Sequence, residues 1–206
     1  MDGGAAMRRA ESTPLNMVTT VLVTCAVAAT SLTLTYELTR DRILAQERAA
    51  EERALRAVIP AGEAFESVPD VLDAAREAAG DTSVVAVYRA VGVDGDFLGW
   101  GVRAAPRGYA GPIQLVVGLD RAGKVSGVSI IPLHEPPGLG TQIATEEGWI
   151  EQFVGWDASD IAVSAREFDA IAGATKSSVG VREGVVAAGR VYADVLALET
   201  GEVDVR

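Results

Sequence analysis

Residues 169–178 read Asp-Ala-Ile-Ala-Gly-Ala-Thr-Lys-Ser-Ser. The run sets the hydroxyl of Thr175 directly behind two very small residues, Gly173 and Ala174, where a bulky partner can reach it. A threonine hydroxyl has a high pKa and attacks poorly without an activating base or metal. Asp169 is the only acidic group in the run. This suits a residue modified by another enzyme better than a self-acting catalyst. A helix start is expected just beyond Thr175, where free backbone N–H groups favour an anion. Lys176 would neutralise part of that charge, and Ser177 and Ser178 would donate hydrogen bonds to it. The same spacing also fits a plain loop whose Ser or Thr caps a helix.

A second run lies upstream. Residues 133–140 read Leu-His-Glu-Pro-Pro-Gly-Leu-Gly. Two prolines and two glycines make a rigid turn in which backbone can approach a flat ring closely. Such a run is equally compatible with a purely structural turn, and His134 is read mainly as part of it.

Other chemistries are limited by composition. Cys25 and His134 are single occurrences. One cysteine excludes an intramolecular disulfide and any cysteine-based metal or iron–sulfur site. No Gly-x-Ser-x-Gly nucleophile elbow is present. Any redox role must therefore come from an organic cofactor. The net charge of −11 over 206 residues argues against nucleic acid, which needs a basic surface.

Both runs resemble the FMN-binding domain family, in which FMN is joined through its phosphate to the last threonine of a motif like residues 169–175. Glu135, Pro137, Gly138, Leu139 and Gly140 match the family's turn, with Pro136 in place of the usual threonine. The segment 108–113, the strand and hairpin at 115–125, and Gln152-Phe153 agree as well. Together these residues are similar to the G subunit of Rnf electron-transport complexes, and the related C subunit of the sodium-pumping NADH:quinone reductase shares the domain. The resemblance implies FMN bound covalently to Thr175, with Asp169, Gly173, Ala174, Lys176, Ser177, Ser178, Glu135, Gly138, Leu139 and Gly140 around it. It implies a flavin transferase for maturation, further subunits of a membrane electron-transport complex as partners, and coupling to movement of Na⁺ or H⁺. Ala172 departs from the family, which usually has Ser or Thr there. The alternatives are a quinone-reductase C subunit and a membrane-anchored binding or assembly module without cofactor.

The elements that must hold these residues begin with an anchor. Between Glu11 and Glu37 there is no charged side chain. At about 1.5 Å per residue, residues 15–36 extend about 33 Å, matching a bilayer core of about 30 Å. The threonines inside can bond back to their own helix, and Tyr36 stands at the end, where an aromatic belt residue is expected. A cleaved signal peptide would have a shorter apolar core. A lipoprotein anchor would need a small residue before its acceptor cysteine, and Thr24 precedes Cys25. Arginines on both sides leave orientation undecided by charge. The resemblance implies a cytoplasmic tail over residues 1–14, a transmembrane helix over 15–36 in contact with lipid, and an extracytoplasmic FMN-binding domain over 60–206, in a bacterial or archaeal cytoplasmic membrane.

Residues 37–59 alternate charge with apolar positions and read as a solvated stalk helix, ended by Pro60-Ala61-Gly62. A short helix is expected over 70–79, and strands over 84–91, 97–102, 113–119 and 125–131. Residues 120–123 read as a hairpin turn. Helices are expected over 141–153 and 179–198. The fold class is α+β: one N-terminal transmembrane helix, then a compact domain with a mainly antiparallel sheet flanked by helices.

Overall fold

Threonine-rich apolar sequence from Pro14 onward winds into the helix α1, Pro14–Val58, in a computed structural model of the chain. The structure describes residues 14–80, 82–109, 111–131, 143, 146, 148–163 and 167–203. It divides into two compact units, Met1–Glu47 and Arg48–Arg206. In the first unit Leu15, Val21, Leu22, Val27, Leu32 and Leu34 are all exposed. Thr19, Thr20, Thr24, Thr30, Thr33, Thr35 and Thr39 each donate their hydroxyl to the carbonyl four residues back, at 2.7–2.9 Å. The hydroxyls are thus satisfied within the helix, as hydrocarbon surroundings require. Among the described residues, α1 is the one helix long and apolar enough to cross a membrane.

The second unit is built on five strands: β1 Ala64–Ser67, β2 Ser83–Val91, β3 Phe97–Ala105, β4 Leu115–Asp120 and β5 Val125–Ile130. They pair in sequence order, each antiparallel to the next. The helix α2, Leu72–Ala79, joins β1 to β2 after a 3-10 turn at Pro69–Val71. Beyond β5 come a 3-10 turn at Trp149–Phe153, then α3 Ala158–Val163, α4 Thr175–Val191, a π-turn Tyr192–Leu196, and α5 Ala197–Val203. The described residues therefore form an α+β fold with an antiparallel sheet, as expected.

β4 shows how the sheet is covered. Leu115, Val117 and Leu119 point into a large core with Val87, Trp100, Val102, Phe153, Val181 and Val185. Val116, on the alternate face, enters a second core with Ala54, Leu55, Val58, Ile59, Ala90 and Ile131. Period-two alternation in a strand without a polar side chain from Leu115 to Leu119 is the mark of a strand buried on both sides. The second core corrects the solvated stalk: the last turns of α1 are buried against the sheet. Burying Leu55 and Val58 contributes roughly 1.5–3 kcal/mol each.

That packing depends on a row of glycines. Gly101, Gly118 and Gly127 are direct cross-strand partners on β3, β4 and β5. A Cβ on Gly101 would lie 2.5 Å from Leu55, one on Gly118 2.9 Å from the Val58 carbonyl, and one on Gly127 3.0 Å from Val58 Cα. The bare backbone forms a trough that admits the end of α1. Ser126 closes it by donating its hydroxyl to the Val58 carbonyl at 2.7 Å, which satisfies one free carbonyl of the helix end.

A polar clamp stands beside the trough. Glu51 of α1 accepts from the Tyr88 hydroxyl at 2.5 Å and from Arg103 Nη1 at 2.9 Å. Arg103 Nη2 also donates to Gln114 at 3.3 Å. Burial, and then the hydrogen bond to Glu51, hold the Tyr88 phenol well above its ordinary 10.0.

Several boundaries differ from expectation. β1 has no alternating pattern and owes its form to pairing with β2. β4 begins at Leu115 because Ile113 donates its N–H to Pro106 O at 2.8 Å, closing a turn instead. β3 runs on to Ala105. In the expected 141–153 helix, Gly148 at φ 78 opens a 3-10 turn over Trp149–Phe153; residues 141, 142, 144, 145 and 147 lie outside the described residues. α4 starts at Thr175, one turn before the apolar pattern begins. The 120–123 hairpin is present: Gly123 donates to Asp120 O at 3.0 Å, with φ at 78.

Two consequences are measurable on the full chain in detergent. Gly118→Ala is expected to lower unfolding free energy by about 1–3 kcal/mol, the usual cost of overpacking, read from the urea midpoint by tryptophan fluorescence. An unchanged midpoint would mean that α1 does not rest on Gly118. Because folded Tyr88 keeps its proton where the unfolded chain has lost it, its contribution is complete below pH 10.0 and is lost as pH rises further. Tyr192, also raised by burial, adds in the same direction. Tyr88→Phe should cost about 1–2 kcal/mol at neutral pH through the lost bond to a carboxylate, and should flatten part of the alkaline decline.

Candidate functional site

α4 fixes where Thr175 sits. Its Val181, Val185, Ala188 and Val191 are fully buried in the larger core. Gly180 lets the helix backbone come close to the 106–107 segment, since a Cβ there would lie 2.5 Å from Arg107 O. A tight turn follows that carbonyl: Gly108 donates to Gly111 O at 2.8 Å, and Arg107 bridges Pro112. Tyr109 donates its N–H to Ser177 Oγ at 3.4 Å. The start of α4 is thereby tied to the strand-connecting turn before β4.

Thr175 is the first helical residue, preceded by Ala174 with φ −120 and ψ 22, and among the described residues no side chain caps the helix. Thr175 and Lys176 are exposed, whereas Ala174, Ser177 and Ser178 are buried. Thr175 thus stands exposed at a helix start that Ala174 leaves without a side-chain cap. That arrangement suits a phosphate ester, with Lys176 beside it as a cation.

The loop before Thr175 has no helix or strand over residues 167–171, and is ordered by side chains. Asp169 donates its N–H to Gln152 Oε1 at 2.8 Å, and Gln152 Nε2 returns a bond to Asp169 O at 3.3 Å. The Trp149 indole N–H donates to the same carbonyl. Ile171 donates its N–H to Ser178 Oγ at 3.1 Å, and that hydroxyl donates onward to Ala174 O, also at 3.1 Å. Ala174 closes a turn by donating to Ile171 O at 3.0 Å. Gly173 takes φ 82 within that turn, a conformation that a side chain would strain. Phe168 anchors the near end, tilted on Phe153 at 6.3 Å, with the Arg182 guanidinium 5.5 Å from its ring centre.

The structure brings Asp169, Gly173, Ala174, Thr175, Lys176, Ser177 and Ser178 into one loop and helix start. It gives the two serines a different role from the expected one. Ser178 is fully buried, and its proton is committed to Ala174 O; Ser177 is 1% exposed and accepts from Tyr109. They order the motif from behind rather than offering hydroxyls to a phosphate in front. His134, Glu135, Gly138, Leu139 and Gly140 lie outside the described residues. Gln152 and Trp149 were not legible as loop clamps, because their partners are backbone groups that carry no sequence signal. A separate open cleft of about 420 Å³, bordered by Arg48, Glu51, Glu52, Phe65 and Tyr88, lies where α1 meets β1 and β2 and includes none of the Thr175 loop.

Residues 108–189 match the FMN-binding domain family, a stretch running from the Gly108 turn to the last turn of α4. The chain is 32% identical over 184 residues to the G subunit of the Na⁺-translocating ferredoxin:NAD⁺ oxidoreductase complex of Acetobacterium woodii, covering 84% of this chain and 88% of that protein. It is 33% identical over 169 residues to the G subunit of the ion-translocating oxidoreductase complex of Aliivibrio fischeri, covering 75% and 79%. The corresponding G subunit of Methanosarcina acetivorans is 31% identical over 169 residues, covering 80% and 87%. The matches extend along most of the length of these proteins rather than a shared domain alone, and the chain belongs to the family of G subunits of ion-translocating oxidoreductase complexes, the Rnf complexes.

Proposed function

We propose that the chain is the FMN-carrying electron-relay subunit of a membrane-bound, ion-translocating ferredoxin:NAD⁺ oxidoreductase complex, with FMN esterified through its phosphate to Thr175. The observation that carries the covalent reading is the exposed Thr175 at the start of α4, which Ala174 does not cap, inside the segment that matches the FMN-binding family. When bound, FMN supplies one- and two-electron redox chemistry, and the protein sets its position and exposure.

The chain's own residues account for the rest. Thr175 provides the ester oxygen. Lys176 and the first-turn N–H groups of α4 balance the phosphodiester charge. Gly173 and Ala172 leave the approach to the hydroxyl open, as a flavin transferase working on this loop requires. Asp169, whose backbone is fully hydrogen-bonded, starts the loop. Glu135, Gly138, Leu139 and Gly140 are assigned to the face of the flavin by the family pattern. Residues 15–36 hold the protein in the cytoplasmic membrane through lipid contact, the tail before them is cytoplasmic, and the domain carrying Thr175 is extracytoplasmic. A covalent link on that side prevents loss of cofactor.

Intact mass decides the covalent claim. Protein made together with a flavin transferase is expected to carry an added FMN minus water, located on Thr175. The addition should be absent without the transferase and in Thr175→Ala, and retained at least in part in Thr175→Ser. An unshifted mass for the chain isolated within its own membrane complex would refute covalent attachment. Topology has its own test: protease added to spheroplasts should cut beyond residue 60 and spare the N-terminal tail, and the opposite pattern would invert the assignment.

A further inference from the structure

We propose that Gln152 is a positioning residue for flavin transfer: its carboxamide holds both backbone groups of Asp169 and so presents the Thr175 loop, already ordered, to the modifying enzyme. The proposal rests on the reading of Thr175 as the attachment point.

An acceptor loop must combine exposure with order. Ala170, Ala172 and Gly173 are exposed, and residues 167–171 belong to no helix or strand. Such a segment would ordinarily sample many conformations, and binding it would cost the entropy of fixing them. Here two clamps fix it in advance. Ser178 holds the stretch from Ile171 to Ala174 from inside the helix. Gln152 holds Asp169 from the 3-10 turn, accepting its N–H at 2.8 Å and donating to its carbonyl at 3.3 Å.

The two clamps differ in what else they do. Ser178 is fully buried in the fold, so its removal disturbs the core as well as the loop. Gln152 is partly exposed, and among the described residues its side chain bonds, besides Asp169, only Trp149 O, three residues back in its own turn, at 2.9 Å. The Asp169 carbonyl has a second donor in the Trp149 indole. Truncating Gln152 therefore frees mainly the Asp169 N–H, at the point where the loop begins.

The transfer itself needs an activated flavin phosphate, since an ester does not form from free phosphate in water; the donor is a flavin dinucleotide. Thr175 Oγ forms a bond to the flavin-side phosphorus, the pyrophosphate P–O bond breaks, and a nucleoside monophosphate leaves. The hydroxyl proton passes to a base on the transferase. Nothing is oxidised or reduced. Gln152 touches none of these atoms; it raises the fraction of the loop that is competent to enter the transferase. Apparent affinity scales with that fraction, so its loss appears in KM for the acceptor protein and not in kcat.

The test uses the full chain, made without transferase and purified in detergent, then incubated with purified flavin transferase and FAD. The initial rate of mass gain is followed against acceptor concentration. Gln152→Ala should raise KM about five- to tenfold, the equivalent of one ordinary hydrogen bond, with kcat within about twofold. Gln152→Glu keeps an acceptor for the Asp169 N–H but sets its second oxygen against the Asp169 and Trp149 carbonyls, so its KM should fall between those of Gln152→Ala and the unsubstituted chain. Melting temperatures are measured alongside. An unchanged KM in Gln152→Ala overturns the proposal. So does a slowing that vanishes after correction for the unfolded fraction, or an equal slowing in Gln152→Glu. If the unsubstituted chain gains no mass, the attachment reading itself falls; if it is modified and Gln152→Ala matches it, only the positioning role falls.

Discussion

The close seating of α1 in the trough of Gly101, Gly118 and Gly127 is the constraint on which the rest of the domain depends. Three glycines in cross-strand register remove side chains from one patch of the sheet. The helix backbone then approaches to a distance that a single Cβ would forbid. With Leu55 and Val58 in place, β3 and β4 lose water on their second face and become central, doubly buried strands. Without that cover, Val116, Ala90 and Ile131 would be an exposed apolar face. Ser126 and Glu51 add direction to this contact. A hydroxyl on the last helical carbonyl and a carboxylate between Tyr88 and Arg103 fix where along the helix the sheet is gripped.

The other face uses the same device for a different end. Gly180 lets α4 close on the Arg107 carbonyl, as Gly118 lets α1 close on the sheet. Close approach leaves little freedom to slide, so the position of Thr175 is set by the packing of residues well below it. From that fixed start the preceding loop is built backwards, through Ser178 to Ile171 and Ala174, and through Gln152 to Asp169. The exposed part of the site thus carries few contacts of its own and takes its shape from buried ones.

This division explains what could be read in the sequence. The motif residues themselves were legible, because Gly173, Ala174 and Thr175 stand together in a short run. The central strands and the anchor helix were legible from apolar runs and from the uncharged stretch between Glu11 and Glu37. The burial of the last turns of α1 was not: charges at Arg48, Glu51, Glu52, Arg53 and Arg56 mask an apolar stripe of only Ala54, Leu55, Val58 and Ile59, and the glycines that receive it read as weak points in their strands. β1 was missed because pairing alone makes it a strand. The start of α4 was placed a turn late because Thr175, Lys176, Ser177 and Ser178 carry no apolar periodicity, although two of them are buried. The same burial reversed the expected role of the serines. Polarity suggested groups facing a ligand, but a buried hydroxyl is most often bound to backbone, and Ser178 follows that rule.

The chemistry of the chain follows from how little of it is reactive. One histidine and one cysteine leave too few ligands for a cysteine- or histidine-based redox metal site. The apolar span holds no carboxylate, basic side chain or histidine, and its threonine hydroxyls are turned inward onto their own helix. A path for ions through a membrane ordinarily needs carboxylates, basic groups or histidines facing one another. The apolar part of α1 offers no such groups, and its length and composition suit an anchor. On the reading proposed above, electron relay falls to the flavin on Thr175, and the packing beneath that threonine sets where it stands.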